Sequence, residues 1–373
     1  MPSFGYEISG LVVIRMPNHP PVLVQRLTLL QQLFPNDVPC LWCPSLTHYD
    51  QDGRIDAVRI RAHLRHLAPH VKGFLIPGST SDGWELNDDE FWEVLELALD
   101  QAQKLELYLL VGVLKADASE ALETLARVLA HLKARTNESD EEKALSKARV
   151  CGFAICAPRG KAVSQQDMER GLAPILELGV PVALYQLPQV TQNEIGPELI
   201  SNLAERFPNF FLFKDSSGGD RVVLSGKNLA GVFTMRGAEG DYARWLSQAG
   251  GPYGGFLLST ANCFAAELQQ MISQLRNGNL ELAQELSDRV TGVKNEVFAL
   301  VQPLTCGNIY TNANKAIDHF FAHGPNAAET KPPRLHAGVC LPSEVIRKTR
   351  EVLVRYRLMP GEGYLERGSS FDQ

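Results

Sequence analysis

Eight short apolar runs separated by amphipathic stretches dominate this chain from residue 38 onward. They fall at 41–42, 73–76, 107–111, 150–155, 180–184, 210–213, 232–235 and 254–258, the last two being the weakest. Between them, apolar residues at helical spacing predict helices over 55–67, 88–104, 119–132, 165–178 and 197–206. Phe91, Leu95, Ala98 and Ala102 share one helix face, as do Leu122, Leu125, Ala126 and Leu129. Apolar runs without alternation mean strands covered on both faces, hence a parallel sheet flanked by helices. Eight such units in unbroken series predict an α/β fold, a closed (β/α)8 TIM barrel rather than an open doubly wound sheet. No Gly-x-Gly-x-x-Gly follows the first run, which further disfavours a dinucleotide-binding domain.

On this reading the barrel occupies residues 38–300, and 301–373 form a C-terminal helical region. Helical patterns at 280–300, 312–322 and 342–358 support that appendage. Residues 1–37 contain five prolines and one helical pattern at 22–34, and read as an extension outside the main domain. Residues 134–147 are polar, charged and aperiodic, and read as a solvated loop inserted before the fourth strand.

A net charge of −7 without a long basic block argues against nucleic acid or an anionic membrane surface as partner. No apolar run approaches the ~18 residues of a membrane span. Leu11-Val12-Val13-Ile14 is too short for a signal peptide. Seven scattered cysteines, an odd number, suit a reducing compartment, so the expected location is cytoplasmic.

In such barrels the chemistry gathers at the C-terminal ends of the strands. The sixth run, Phe210 to Phe213, leads straight into Lys214 and then Asp215-Ser216-Ser217-Gly218. Burial at a strand mouth penalises the ammonium and favours the free amine, which can attack a carbonyl to form a Schiff base. A lysine that snorkels to solvent is the alternative. After the second run, Gly78-Ser79-Thr80-Ser81-Asp82-Gly83 offers hydroxyls and backbone N–H groups for a carboxylate. After the fifth, Tyr185 heads Tyr185-Gln186-Leu187-Pro188 and can relay a proton. Arg236-Gly237-Ala238-Glu239-Gly240 follows the seventh, and Ser259-Thr260-Ala261-Asn262 the eighth.

This set, in this order, resembles the dihydrodipicolinate synthase/N-acetylneuraminate lyase family of class I, Schiff-base aldolases and lyases, over residues 38–358. The family's Gly-Thr-Thr-Gly-Glu loop is similar to Gly78-Ser79-Thr80-Ser81-Asp82, and its Tyr-Asn-x-Pro to Tyr185-Gln186-Leu187-Pro188. Its lysine followed by Ser/Thr-Gly is matched by Lys214 to Gly218, and its eighth-strand segment by residues 254–262. The resemblance implies that Lys214 condenses with the keto group of pyruvate or a related 2-oxo acid. Ser79 and Thr80 would hold the carboxylate, Gly237 and Leu257 would line the substrate site, and Tyr185 would shuttle the proton. A C–C bond beside the keto carbon would then be made or broken, with an aldehyde as second partner. The covalent imine would need no cofactor and no metal, and the assembly would be a homo-oligomer, a dimer or a homotetramer of dimers.

The resemblance has gaps. Val190 stands where synthases carry an arginine for the distant carboxylate. Pro158-Arg159-Gly160 replaces a Pro-Tyr-Tyr whose second tyrosine reaches a neighbouring subunit, and it puts a guanidinium near the mouth. Two other readings stay open: a 2-keto-3-deoxy sugar acid dehydratase using the same imine, or a non-catalytic 2-oxo-acid-binding barrel.

The cysteine pair and the histidines are read as structural, and a glycine-rich stretch is left open. Cys40 and Cys43 lack a second cysteine pair. His63, His66 and His70 are read as a solvated face of an outer helix far from the mouth, and the same objection to a metal applies to His319 and His323. Gly250 to Gly255 fit either a phosphate cradle or a tight turn.

Overall fold

The computed structural model describes residues 21–367 and the backbone of 7–8 and 11–12, which pair as two short antiparallel strands. The remainder of 1–20, with Val13 and Ile14 of the apolar run, and residues 368–373 lie outside the described residues.

Eight parallel strands close into the expected barrel. They are β1 (Leu41–Cys43), β2 (Gly73–Ile76), β3 (Tyr108–Val113), β4 (Val150–Cys156), β5 (Val182–Gln186), β6 (Phe210–Asp215), β7 (Phe233–Arg236) and β8 (Gly255–Leu257). Phe256 beside Leu41 and Leu257 beside Trp42 complete the ring. The outer helices are α2 (Ala57–Leu67), α3 (Asp88–Leu105), α4 (Ala118–Thr136), α6 (Gln165–Leu176), α7 (Pro197–Arg206) and α8 (Ala261–Arg276), with α5 discussed below. Their starts follow from capping: Asn87 and Glu90 form a capping box on α3, and Ser164 with Asp167 does so on α6. Only single helical turns, Arg221–Leu224 and Tyr242–Trp245, follow β6 and β7.

Residues 134–147 are not a solvated loop. Helix α4 runs on to Thr136, and α5 (Glu141–Lys147) follows, capped by Asp140 accepting from the Lys143 amide. Ala144 and Leu145 alone are buried, and one short turn with two apolar residues leaves no readable period.

Of the segment read as lying outside the main domain, residues 21–37 pack onto the barrel. Helix α1 (Pro21–Leu33) covers the N-terminal end of the barrel. Phe34 plugs that floor, with ring centroids 5.9 Å from Trp42, 5.0 Å from Tyr108 and 6.1 Å from Phe211. Arg26 is fully buried and donates to the carbonyls of Ala204, Phe207, Phe210 and Ala230. Two of these close the C-terminal end of α7, where unpaired carbonyls favour a cation. A cleft of about 700 Å³ beside α1, lined by Leu29, Leu33, Tyr108, Arg149 and Pro181, opens on this floor, away from the C-terminal strand ends.

Past the barrel come α9 (Leu280–Val301), α10 (Ile309–His323) and α11 (Ser343–Arg355). Helix α10, capped by Asn308, starts at Ile309, three residues before the pattern at 312–322 begins.

Arg26→Ala would leave four buried carbonyls without their donor. Urea unfolding should show a loss of about 3–5 kcal/mol, since each buried acceptor left unsatisfied costs ~1–3 kcal/mol, with the chemistry at the opposite barrel end retained.

Candidate active site

Strand register brings the two candidate catalytic side chains together. Tyr185 on β5 pairs with Lys214 on β6, and Lys214 with Met235 on β7. Lys214 is only 4% exposed, and its ammonium nitrogen lies 3.8 Å from the centroid of the Tyr185 ring. Burial dominates its ionisation, lowering the pKa to about 7. The ring face favours the cation by about 2 kcal/mol, less than loss of water costs a buried ammonium. Cys156 and Glu239 follow as opposing influences. The Cys156 thiol is itself pushed up to about 12 by burial, so it is uncharged at neutral pH and Glu239 is the effective anion.

The lysine has room only because residue 237 is glycine. A Cβ there would fall 2.8 Å from Lys214 Cε and 2.1 Å from Ser216 Oγ. The Tyr185 phenol is held protonated chiefly by burial, with Ser216 opposing that weakly. Gly237 therefore makes space beneath the reacting amine. Leu257 is buried in the inner barrel layer with Tyr185, Leu212 and Met235.

Ser79 and Thr80 lie in a single 3-10 turn directly after β2, at the same end of the barrel. Ser81 anchors that turn by accepting from the Gly78 amide at 3.0 Å and donating to the Ser45 carbonyl. The Gly78 amide is thus used within the loop. From outside, α10 fixes the turn: Asn308 donates to the Ser79 carbonyl at 3.2 Å and Thr311 to that of Thr80 at 3.0 Å. Asp82, at φ 58°, accepts from the buried Lys315 at 3.2 Å and from Tyr49 at 3.1 Å.

Glu239 and its holders carried no assigned role in the sequence reading. Its carboxylate accepts from Ser259 (2.6 Å), the Thr260 amide (3.1 Å), the Thr260 hydroxyl (2.7 Å) and Tyr242 (2.8 Å). Arg236 fixes the turn that carries Glu239 through the carbonyls of Ala238 and Gly240, its own charge balanced by Asp220 at 3.0 Å. A carboxylate two residues past a mouth glycine was the available signal. Asn314, which donates to Ser259 at 3.0 Å, and Tyr310 come from beyond the eighth unit, where strand-end reasoning does not look.

Arg159 is exposed, and Val190 packs against the inner apolar cluster beside Tyr185. The histidines read as a solvated face are not one: His63 is fully buried between His48 and Asp318. His319 is buried as well, bonded to the Ala327 carbonyl at 2.9 Å. Gly250 takes a left-handed φ of 81° in a tight turn, where the Gly251 amide bonds the Leu246 carbonyl at 2.9 Å. Cys40 and Cys43 are buried free thiols.

A barrel with a desolvated lysine on its sixth strand, a tyrosine beside it and a hydroxyl turn at the same end is an enzyme of the class I aldolase and lyase type. The sequence profile of the Dihydrodipicolinate synthetase family matches residues 114–309, and the chain belongs to that family. Among curated relatives, 4-hydroxy-tetrahydrodipicolinate synthase of Agrobacterium fabrum is 22% identical over 281 residues, 74% of this chain and 87% of that one. The synthase of Escherichia coli K12 is 23% identical over 262 residues, 69% of this chain and 82% of its own. Among solved structures, a prophage protein of the same family from E. coli K12, in complex with pyruvate, superposes with a TM-score of 0.66 at 18% identity, covering 85% of this chain and 98% of that one. A Sulfolobus solfataricus 2-keto-3-deoxygluconate aldolase variant gives 0.65 at 18% identity, covering 86% and 96%.

The Asp82–Lys315 pair is testable by a double-mutant cycle. Asp82→Asn or Lys315→Met alone should each cost about 3–5 kcal/mol in urea unfolding, and the double variant clearly less than their sum.

Proposed function

We propose that the protein forms a Schiff base between Lys214 and the keto carbon of pyruvate or a related 2-oxo acid, and makes or breaks the adjacent C–C bond. The observation that carries this reading is the buried amine itself. With a pKa near 7, about half of it is neutral at physiological pH and able to attack a carbonyl. Ser79 and Thr80 are positioned to receive the 2-oxo acid's carboxylate, and Tyr185 to move the proton that releases water from the carbinolamine. The iminium then accepts the electron pair of the breaking C–C bond, or supplies it as the enamine when a bond forms with an aldehyde. The imine does this chemistry without a cofactor.

The second substrate is an aldehyde. Val190 stands in an apolar contact where a guanidinium would grip a distant carboxylate, and the buried cations Lys315 and Arg236 are already paired with Asp82 and Asp220. This favours an uncharged or hydroxylated aldehyde over a dicarboxylate partner. The family likeness supports a homo-oligomer. Free thiols at all seven cysteines suit a cytoplasmic setting, and no helix among the described residues is long and apolar enough to cross a membrane.

Borohydride reduction in the presence of pyruvate, followed by peptide mapping, should place one adduct on Lys214 and none on Lys214→Ala. No adduct with pyruvate or longer 2-oxo acids would remove the imine reading.

The rate of adduct formation should rise with pH through a midpoint near 7, because deprotonation creates the nucleophile. Glu239→Gln removes the anion that favours the ammonium, so its midpoint should move to lower pH. Gly237→Ala should slow adduct formation at least about 100-fold, the scale of misplacing a reacting group by an ångström.

A further inference from the structure

Tyr185 is 3% exposed, so any proton its phenol gives up must be replaced from a neighbouring group. The start of α10 lies over the same end of the barrel. Asn308 and Thr311 hold the carbonyls of Ser79 and Thr80, and Asn314 donates to Ser259, which in turn donates to Glu239. Tyr310 stands one helical turn before Asn314, on the same helix face, so its side chain shares the side of the mouth occupied by Ser259 and Glu239. Its ring packs edge-on against Phe298, with centroids 5.3 Å apart and planes at 86°. The residue is half-buried, able to meet both the interior and solvent. The groups also act on one another electrically: Tyr310 disfavours ionisation of Tyr185, and Glu239 that of Tyr310.

We propose that Tyr310, supplied by this chain's own C-terminal helix, is the second phenol of the proton path serving Tyr185. This rests on the reading of Lys214 as the imine lysine. In the step concerned, the carbinolamine C–O bond breaks and its hydroxyl leaves as water, taking a proton from Tyr185. The nitrogen lone pair forms the C=N bond. Tyr310 restores the Tyr185 proton through a bridging water and regains its own from solvent, so neither phenol changes state over the cycle. Tyr310 acts through Tyr185 and is a positioning and relay residue rather than a catalytic one.

Tyr310→Phe retains the ring and its contact with Phe298 while removing only the hydroxyl. Two readouts need no knowledge of the aldehyde: the rate of borohydride-trappable adduct on Lys214, and deuterium exchange at the pyruvate methyl in D2O followed by NMR. Both should fall about 10-fold or more, on the low side of general acid–base contributions. Final adduct stoichiometry and the thermal midpoint should be unchanged. On a Tyr185→Phe background the same substitution should cause no further loss. A rate within about two-fold of wild type, or a full loss persisting without Tyr185, overturns the relay while leaving the imine lysine standing. Wild-type protein that traps no adduct fails at the earlier step, and there the imine reading and the relay fall together.

Discussion

The buried ion pair between Lys315 and Asp82 fixes the geometry on which the rest of the site depends. Both residues are almost fully enclosed, and the Lys315 ammonium, disfavoured by burial, is supported by Asp82 and by the Tyr49 ring face 4.4 Å away. Either charge alone would cost several kcal/mol, so the pair tolerates little displacement. Its position in the chain makes it consequential. Asp82 ends the hydroxyl turn, and Lys315 lies on the α10 face that also presents Asn308 and Thr311 to that turn. One interaction therefore sets both the angle of Ser79 and Thr80 and the approach of α10 to the mouth. The C-terminal helix is a wall of the active site, although it follows the last barrel strand by more than fifty residues.

Inside that frame, Lys214 is a deliberate local instability. An amine whose folded pKa lies below its unfolded value binds its proton less well when folded. Its contribution therefore opposes folding below about pH 7, and the penalty fades as pH rises from there toward the ordinary lysine range. The barrel tolerates this because the surrounding layer is large and apolar, with Leu212, Met235 and Leu257 buried around it. The same layer excludes the water that would otherwise stabilise the ammonium. The burial that lowers the pKa of the amine and the burial that costs stability are one interaction seen from two sides.

The barrel was legible because parallel strands covered on both faces write themselves as unbroken apolar runs, and all eight run positions overlap the observed strands. Lys214 and Tyr185 were legible because each breaks such a run at its C-terminal end. Local pattern failed where a residue's environment comes from distant chain. Arg26 in α1 looks like an ordinary surface cation, yet its four acceptors lie between residues 204 and 230. Nothing near residue 26 announces them. His63 likewise sits at a position that reads as outer helix, and it is buried because α8, α10 and the turn at Tyr364 cover that face. The start of α10 was misplaced because Ile309 and Tyr310 are only half-buried and follow Gly307-Asn308, which read as a turn. The Asn308 cap was a readable sign of an earlier start.

The histidine cluster extends the same argument to the other side of α10. His48, His63 and Asp318 present ligand-type atoms within 4.8 Å of one another, a spacing that could hold a metal ion. Charge decides how this group is used. Arg59 donates to Asp318 at 2.9 Å and Tyr364 does so at 3.1 Å, so the carboxylate is already engaged by a cation and a hydroxyl. Burial, then Arg59, His63 and Lys315, hold His48 neutral. A metal would have to displace a guanidinium and enter a region that already repels positive charge. As it stands, the cluster is a hydrogen-bonded weld joining α2 to α10 through Arg59, His63 and Asp318, and to the start of α8 through the His63 contact with the Asn262 carbonyl at 2.8 Å. Helix α10 is thus pinned along its length, by Asn308, Thr311 and Lys315 to the hydroxyl turn and by Asp318 to the first barrel helix. A helix held at both ends is what a mouth wall carrying Tyr310 and Asn314 requires.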